Sequence, residues 1–67
     1  MSKYLAKAAE LLERAADSNE KTNRDYSSTL YNQRMAIADA YAKLAAVDKG
    51  LMPAEIAEQV YRQFGGE

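Results

Sequence analysis

From Glu20 to Asp48 the chain runs 29 residues without a Gly or a Pro. Nothing in that stretch breaks a helix, and at 1.5 Å per residue it predicts a single helix about 43 Å long. A 67-residue chain has little left with which to cover so long an element on every side. The feature therefore points to association, most simply with a second copy.

Composition sharpens the same point. The large aliphatic and Phe positions number 14, and 13 further apolar positions are Ala, which buries little area per residue. A domain of this size buries only about 60% of its unfolded surface, so the core is thin. Small domains compensate with disulfides, metals or oligomers. With no Cys and no His, disulfides, thiolate sites and imidazole ligands are excluded. Oligomerisation or partner binding is the route left, and no cofactor is expected. The formal net charge of -1 argues against nucleic acid, which calls for a basic stripe. No apolar run approaches the length of a membrane span. Lys3, Lys7 and Glu10 interrupt any signal-peptide core, so a cytoplasmic protein is expected.

The pattern along the chain predicts one all-α domain over residues 1–67. Ser2 can cap a first helix, about 2–17, with Tyr4, Leu5, Ala8, Leu11, Leu12 and Ala15 on one face. Lys3, Lys7, Glu10, Arg14 and Asp17 fall opposite. Asp17 to Asn23 is polar and rich in residues that compete for backbone hydrogen bonds, so it reads as the turn. Helix 2, about 20–48, starts with Asn19 as its cap, or with Thr22 capping and Asp25 three residues on. It carries one stripe of Tyr26, Leu30, Ile37, Tyr41 and Leu44, with Gln33 or Arg34 filling the gap. A second, adjacent stripe holds Tyr31, Met35, Ala38, Ala42 and Ala45. That is more apolar face than helix 1 can cover. Lys49 and Gly50 end helix 2. Pro53 fits the first position of helix 3, about 53–64, with Leu51 and Ile56 at hydrophobic-staple spacing. Acid-before-base pairs at i,i+4 are Glu10–Arg14, Glu20–Arg24, Asp39–Lys43 and Glu58–Arg62. The expected architecture is an antiparallel hairpin with a long second helix and a short third, dimerising through helix 2 into a bundle.

No constellation for chemistry emerges. Glu10, Glu13, Glu55 and Glu58 lie on polar faces, and a carboxylate-bridged metal pair would need Glu-x-x-His. Ser18, Thr22, Ser27, Ser28 and Thr29 cluster near the turn but have no His to activate them. The three Gly, at 50, 65 and 66, form no phosphate-binding loop. The chain is therefore not expected to be an enzyme. Candidate interface residues are Tyr26, Leu30, Tyr31, Arg34, Met35, Ala38 and Tyr41. Tyr and Arg are enriched at interface hot spots, and Arg34 lies beside an apolar face where a charge needs a partner.

Two resemblances qualify this reading. Leu51-Met52-Pro53-Ala54-Glu55-Ile56-Ala57-Glu58 resembles the opening helix of a helix-turn-helix, which implies a small DNA-associated accessory factor or transcription regulator as the alternative. No recognition helix follows before Glu67. The run from Tyr31 to Ala45 is similar to small Ala-rich helical proteins of unknown function from actinobacteria and their phages. That likeness implies a cytoplasmic accessory protein and assigns no site residues; the expected function is a non-enzymatic interaction module, a small phage or bacterial regulator that binds a host protein.

Overall fold

The computed structural model describes residues 3–66, which form three helices and, among the described residues, no strand. They are α1 (Lys3–Thr22), α2 (Ser27–Asp48) and α3 (Glu55–Gln63). Each helix packs against both of the others. The all-α architecture and the hairpin with a third helix folded back are as the periodicity predicts. The proposed cap at Ser2 lies outside the described residues.

The element boundaries differ in one important way. The predicted 29-residue helix does not form. α1 continues five residues past Asp17 to Thr22, and α2 begins at Ser27, so neither Asn19 nor Thr22 caps it. Tyr26 occupies the cap position with no side-chain cap bond. The turn is 23–26 rather than 17–23. Its backbone is closed by the Tyr26 N–H donating to the Asn23 carbonyl at 2.9 Å.

The physical reason lies in Asn19. Its side chain is buried inside the hairpin, where its Nδ2 donates to the Leu30 carbonyl across the turn at 3.1 Å. Its Oδ1 accepts from Asn23 Nδ2 at 2.8 Å. A buried amide must be satisfied, and here both ends are. Local propensity treats Asn as a turn residue because it can hydrogen-bond nearby backbone. The tertiary partner across the turn gives this amide a stronger use inside α1. Lys21 in the last turn of α1 also suits the negative end of the helix dipole.

The core is small and built at close range. Ala8 and Leu12 from α1, Ile37, Ala40 and Leu44 from α2, and Ala57 and Val60 from α3 form one buried cluster. Tyr4, Leu5, Val47, Tyr61 and Phe64 pack around it, half-buried. Four of the seven central residues are Leu, Ile or Val. The other three are Ala, which lets the backbones approach. Tyr4 of α1 and Tyr61 of α3 meet with ring centroids 5.3 Å apart. The predicted core face of α1 holds except at Leu11, which is half-buried outside the cluster, and Leu30, Ile37 and Leu44 on α2 are buried as predicted; Tyr26 is exposed and belongs to no core.

Two glycine-closed helix ends set the path of the chain. At α2, Gly50 takes φ +76°, its N–H donates to the Val47 carbonyl, and the Leu51 N–H donates to the Ala46 carbonyl at 2.8 Å. That is the paired-bond pattern of the Schellman motif, as the sequence predicts for Gly50. α3 ends the same way, through Gly65 at φ +101° and the Gly66 N–H on the Tyr61 carbonyl. The expected Leu51–Ile56 staple does not form. Leu51 is 75% exposed, and α3 starts at Glu55, not at Pro53. The bonds from Ile56 N–H to Pro53 and from Ala57 N–H to Ala54 tighten the first turn instead. Ile56 is half-buried, and Ala57 and Val60 anchor α3.

Two outcomes follow from this packing. Asn19→Ala strands the groups it satisfies, and urea denaturation should show a loss of about 1–3 kcal/mol. Gly50→Ala meets no atom within 4 Å, so its cost is conformational only. Thermal unfolding should show a loss of about 1–2 kcal/mol, the cost of a left-handed non-Gly residue.

Candidate functional site

The candidate site is the side of α2 that neither α1 nor α3 covers. Leu30, Ile37, Ala40 and Leu44 face inward. One helical step round, Tyr31, Met35, Ala38, Ala42 and Ala45 stay exposed along the length of α2. Tyr31 retains 58% of its accessible surface and Met35 71%. Successive members lie three or four residues apart, so they form one continuous strip. Single exposed apolar residues need no explanation, but a contiguous strip does.

The strip borders a groove between α1 and α2. Leu5, Ala6 and Ala9 line it from α1, and Tyr41, Leu44, Ala45 and Asp48 line it from α2. Its volume is about 420 Å³. The lining is apolar apart from the Asp48 carboxylate. α3 contributes nothing to it, because α3 packs along the other flank of the hairpin, where Tyr61 meets Tyr4 of α1.

At the N-terminal end of the strip stands a small polar assembly. The Arg34 guanidinium donates to Glu20 of α1 through two parallel bonds, Nε to Oε2 at 2.8 Å and Nη2 to Oε1 at 2.6 Å. The same guanidinium lies 5.2 Å from the centroid of the Tyr31 ring. Planar forked donors suit a carboxylate, and the flat cation suits an aromatic face. Arg34 thus braces the Tyr31 ring from one side and ties α2 to the end of α1 from the other. The Arg34 bonds hold the Glu20 carboxyl below its ordinary pKa and raise that of Arg34.

Of the seven candidate interface residues, the structure places Tyr31, Met35, Ala38 and Tyr41 together on the exposed strip and groove rim. It removes Leu30, which is buried and whose carbonyl receives Asn19. Tyr26 is exposed but sits at the turn before α2. Arg34 is surface-exposed, and its expected need for a partner is met within the chain by Glu20. Glu20 is therefore not the partner of Arg24; Arg24 approaches Asp25 at 3.9 Å instead. The remaining helical pairs, Glu10–Arg14, Asp39–Lys43 and Glu58–Arg62, form as spaced.

The groove was not legible in the sequence, because Leu5 read as core, Asp48 as a helix end, and Ala6 and Ala9 belonged to neither predicted face of helix 1. Its only trace was the surplus of small residues on both helices. The resolved pKa shifts, at Glu20, Arg34 and Arg62, all favour the charged form of an exposed pair. Proton transfer near neutral pH asks for shifts in the opposite direction. Among the described residues no group of acidic side chains is placed to hold a metal ion, and no helix is long and apolar enough to cross a membrane. Ser27, Ser28 and Thr29 stand exposed in the first turn of α2.

The Glu20–Arg34 bridge carries a pH signature. Because the folded carboxyl titrates below its ordinary value of 4.5, its contribution is present above that pH and is lost as pH falls through the lower, folded value. In urea midpoints measured from pH 6 to pH 3, Glu20→Gln should decline less steeply than the parent chain. Parallel curves would leave the bridge without energetic weight. No family model, curated protein or solved structure matches this chain.

Proposed function

We propose that this chain is a non-enzymatic protein-binding module, a small accessory or regulatory protein that acts through the outward face of α2. The observation that supports the reading is the strip of Tyr31, Met35, Ala38, Ala42 and Ala45, left exposed after every helix has packed. A thin Ala-rich core leaves stability marginal, and covering this strip on a partner would add apolar burial where the fold lacks it. The strip has the composition of a recognition surface. An aromatic anchor braced by Arg34 stands beside a flexible Met, and small residues beyond them admit a second helix at close range. The accessory role in a cytoplasmic setting is supported by the resemblance of the Tyr31–Ala45 run, and the partner proposed for the strip is a host protein.

The test is retention from an extract of the native host on immobilised chain, read by mass spectrometry against Met35→Glu with Ala42→Glu. Both positions are exposed, so helicity by circular dichroism should be unchanged. Proteins held by the parent chain should fall at least tenfold on the double variant. Equal retention on both would overturn the reading.

A further inference from the structure

The turn between α1 and α2 is built unlike the other helix ends. α2 and α3 each stop at a glycine with positive φ, Gly50 and Gly65, whereas no residue of 23–26 has one. From Lys3 to Lys49 there is neither Gly nor Pro, so nothing in the turn forbids a right-handed helix. The helical ladder already reaches in from both sides. The Asn23 N–H donates to the Asn19 carbonyl at 3.0 Å, and the Leu30 N–H to the Tyr26 carbonyl at 2.9 Å. Between them, the N–H groups of Arg24, Asp25, Ser27, Ser28 and Thr29 find no backbone acceptor among the described residues, and no side chain caps α2. A straightened helix offers each of them the carbonyl four residues back.

The core faces of the two helices are in phase across this turn. Ala8, Leu12, Ala15 and Asn19 lie on the core side of α1, and Leu30, Ile37, Ala40 and Leu44 on that of α2. Asn23 and Tyr26 fill the gap at the same three- and four-residue spacing. On one unbroken helix, at about 100° per residue, all of these positions fall within an arc of about 100°. A hairpin requires no such agreement, because a turn can deliver its second helix at any rotation. The straight form runs from Lys3 to Asp48, about 69 Å, with one continuous core face.

Tyr26 fits the straight form better than the bent one. It stands at the cap position of α2, where Ser, Thr, Asp or Asn would bond the first N–H groups, and it is 66% exposed. When two straightened chains pair antiparallel about the turn, Tyr26 lies on the shared face, opposite Asn23 of the other copy. Each contact of the hairpin is then remade between copies: Asn19 with Leu30, Glu20 with Arg34, and Ala8 and Leu12 with the core residues of α2 and α3.

We propose that the 23–26 turn is a hinge, and that two copies of this chain exchange α1 by straightening it. Each α1 packs on α2 and α3 of the other copy, and only the turn changes conformation. Exchange of an element reuses contacts already present in one chain, so it needs no further surface and leaves the α2 strip open. It stands or falls independently of the protein-binding reading.

Purified chain refolded from urea at millimolar concentration should give, beside the 7.4 kDa monomer, a species of 14.8 kDa, twice the chain mass, in size exclusion with light scattering. Ser27→Pro separates the two forms. Position 27 opens α2, where Pro fits and no backbone bond is lost, and Tyr26 before it already has the non-helical φ −122° and ψ 76°. In the straight helix the same ring collides with the Asn23 carbonyl. The variant should keep the helicity of the monomer and lower the 14.8 kDa fraction at least tenfold. Complementation is the second measurement. Leu12→Asp spoils α1 and Leu44→Asp spoils α2, so each variant alone should lose its helicity. Mixed in equal amounts they should regain it by circular dichroism, since exchange joins the intact α1 of one to the intact α2 of the other. Absence of the 14.8 kDa species from the parent chain overturns the proposal. Its persistence in Ser27→Pro, or a mixture no more helical than its components, does so equally.

Discussion

The buried amide of Asn19 is the constraint around which this fold is arranged. It ties the last full turn of α1 to the first turn of α2 by donating to Leu30, and it is itself held by Asn23. A hydrogen bond of this kind is worth little net, but leaving either end unmade inside the hairpin is expensive. That asymmetry sets the register. Sliding α2 by one turn would carry the Leu30 carbonyl out of reach and strand the amide. The pairing of Ile37, Ala40 and Leu44 with Ala8 and Leu12 follows from the same register. So does the reach of Glu20, which the extended α1 carries up to Arg34.

A second consequence concerns what is left over. Because so much of the core is Ala, the helices sit close and bury little area per contact. α3 adds Ala57 and Val60 to one flank, and among the described residues nothing equivalent covers the other. The groove and strip are thus the complement of the core. One small-residue composition lets α1 and α2 approach and leaves room beside them for a further helix. Tyr31 and Met35 project from that surface, and Arg34 holds the ring in place at modest entropic cost.

The helical class, the faces of α1 and the glycine-closed ends were legible from spacing and residue chemistry. Gly50 is the clearest instance, since a left-handed residue was required where a helix stopped and Gly supplies it most easily. The turn was misplaced by about one and a half helical turns. Asp17 to Asn23 and Asn23 to Tyr26 offer the chain similar polar chemistry, and local propensity cannot choose between them. The Leu51–Ile56 staple failed for a related reason. The Schellman bonds direct Leu51 outward, and α3 finds its anchors in Ala57 and Val60 instead.

The sequence by itself determined that this chain is helical, that its core is thin, and that α2 carries apolar residues beyond one face. Periodicity and composition are local properties, and they suffice for these. Only the tertiary structure decided where the hairpin bends, which carboxylate Arg34 takes, and which part of the surplus apolar face stays open. Each of those depends on a partner distant in sequence: Leu30 for Asn19, Glu20 for Arg34, and Leu5 and Ala9 for the flank of Ala45. The free energy of such contacts is set by burial and geometry across the hairpin, which neither residue carries alone.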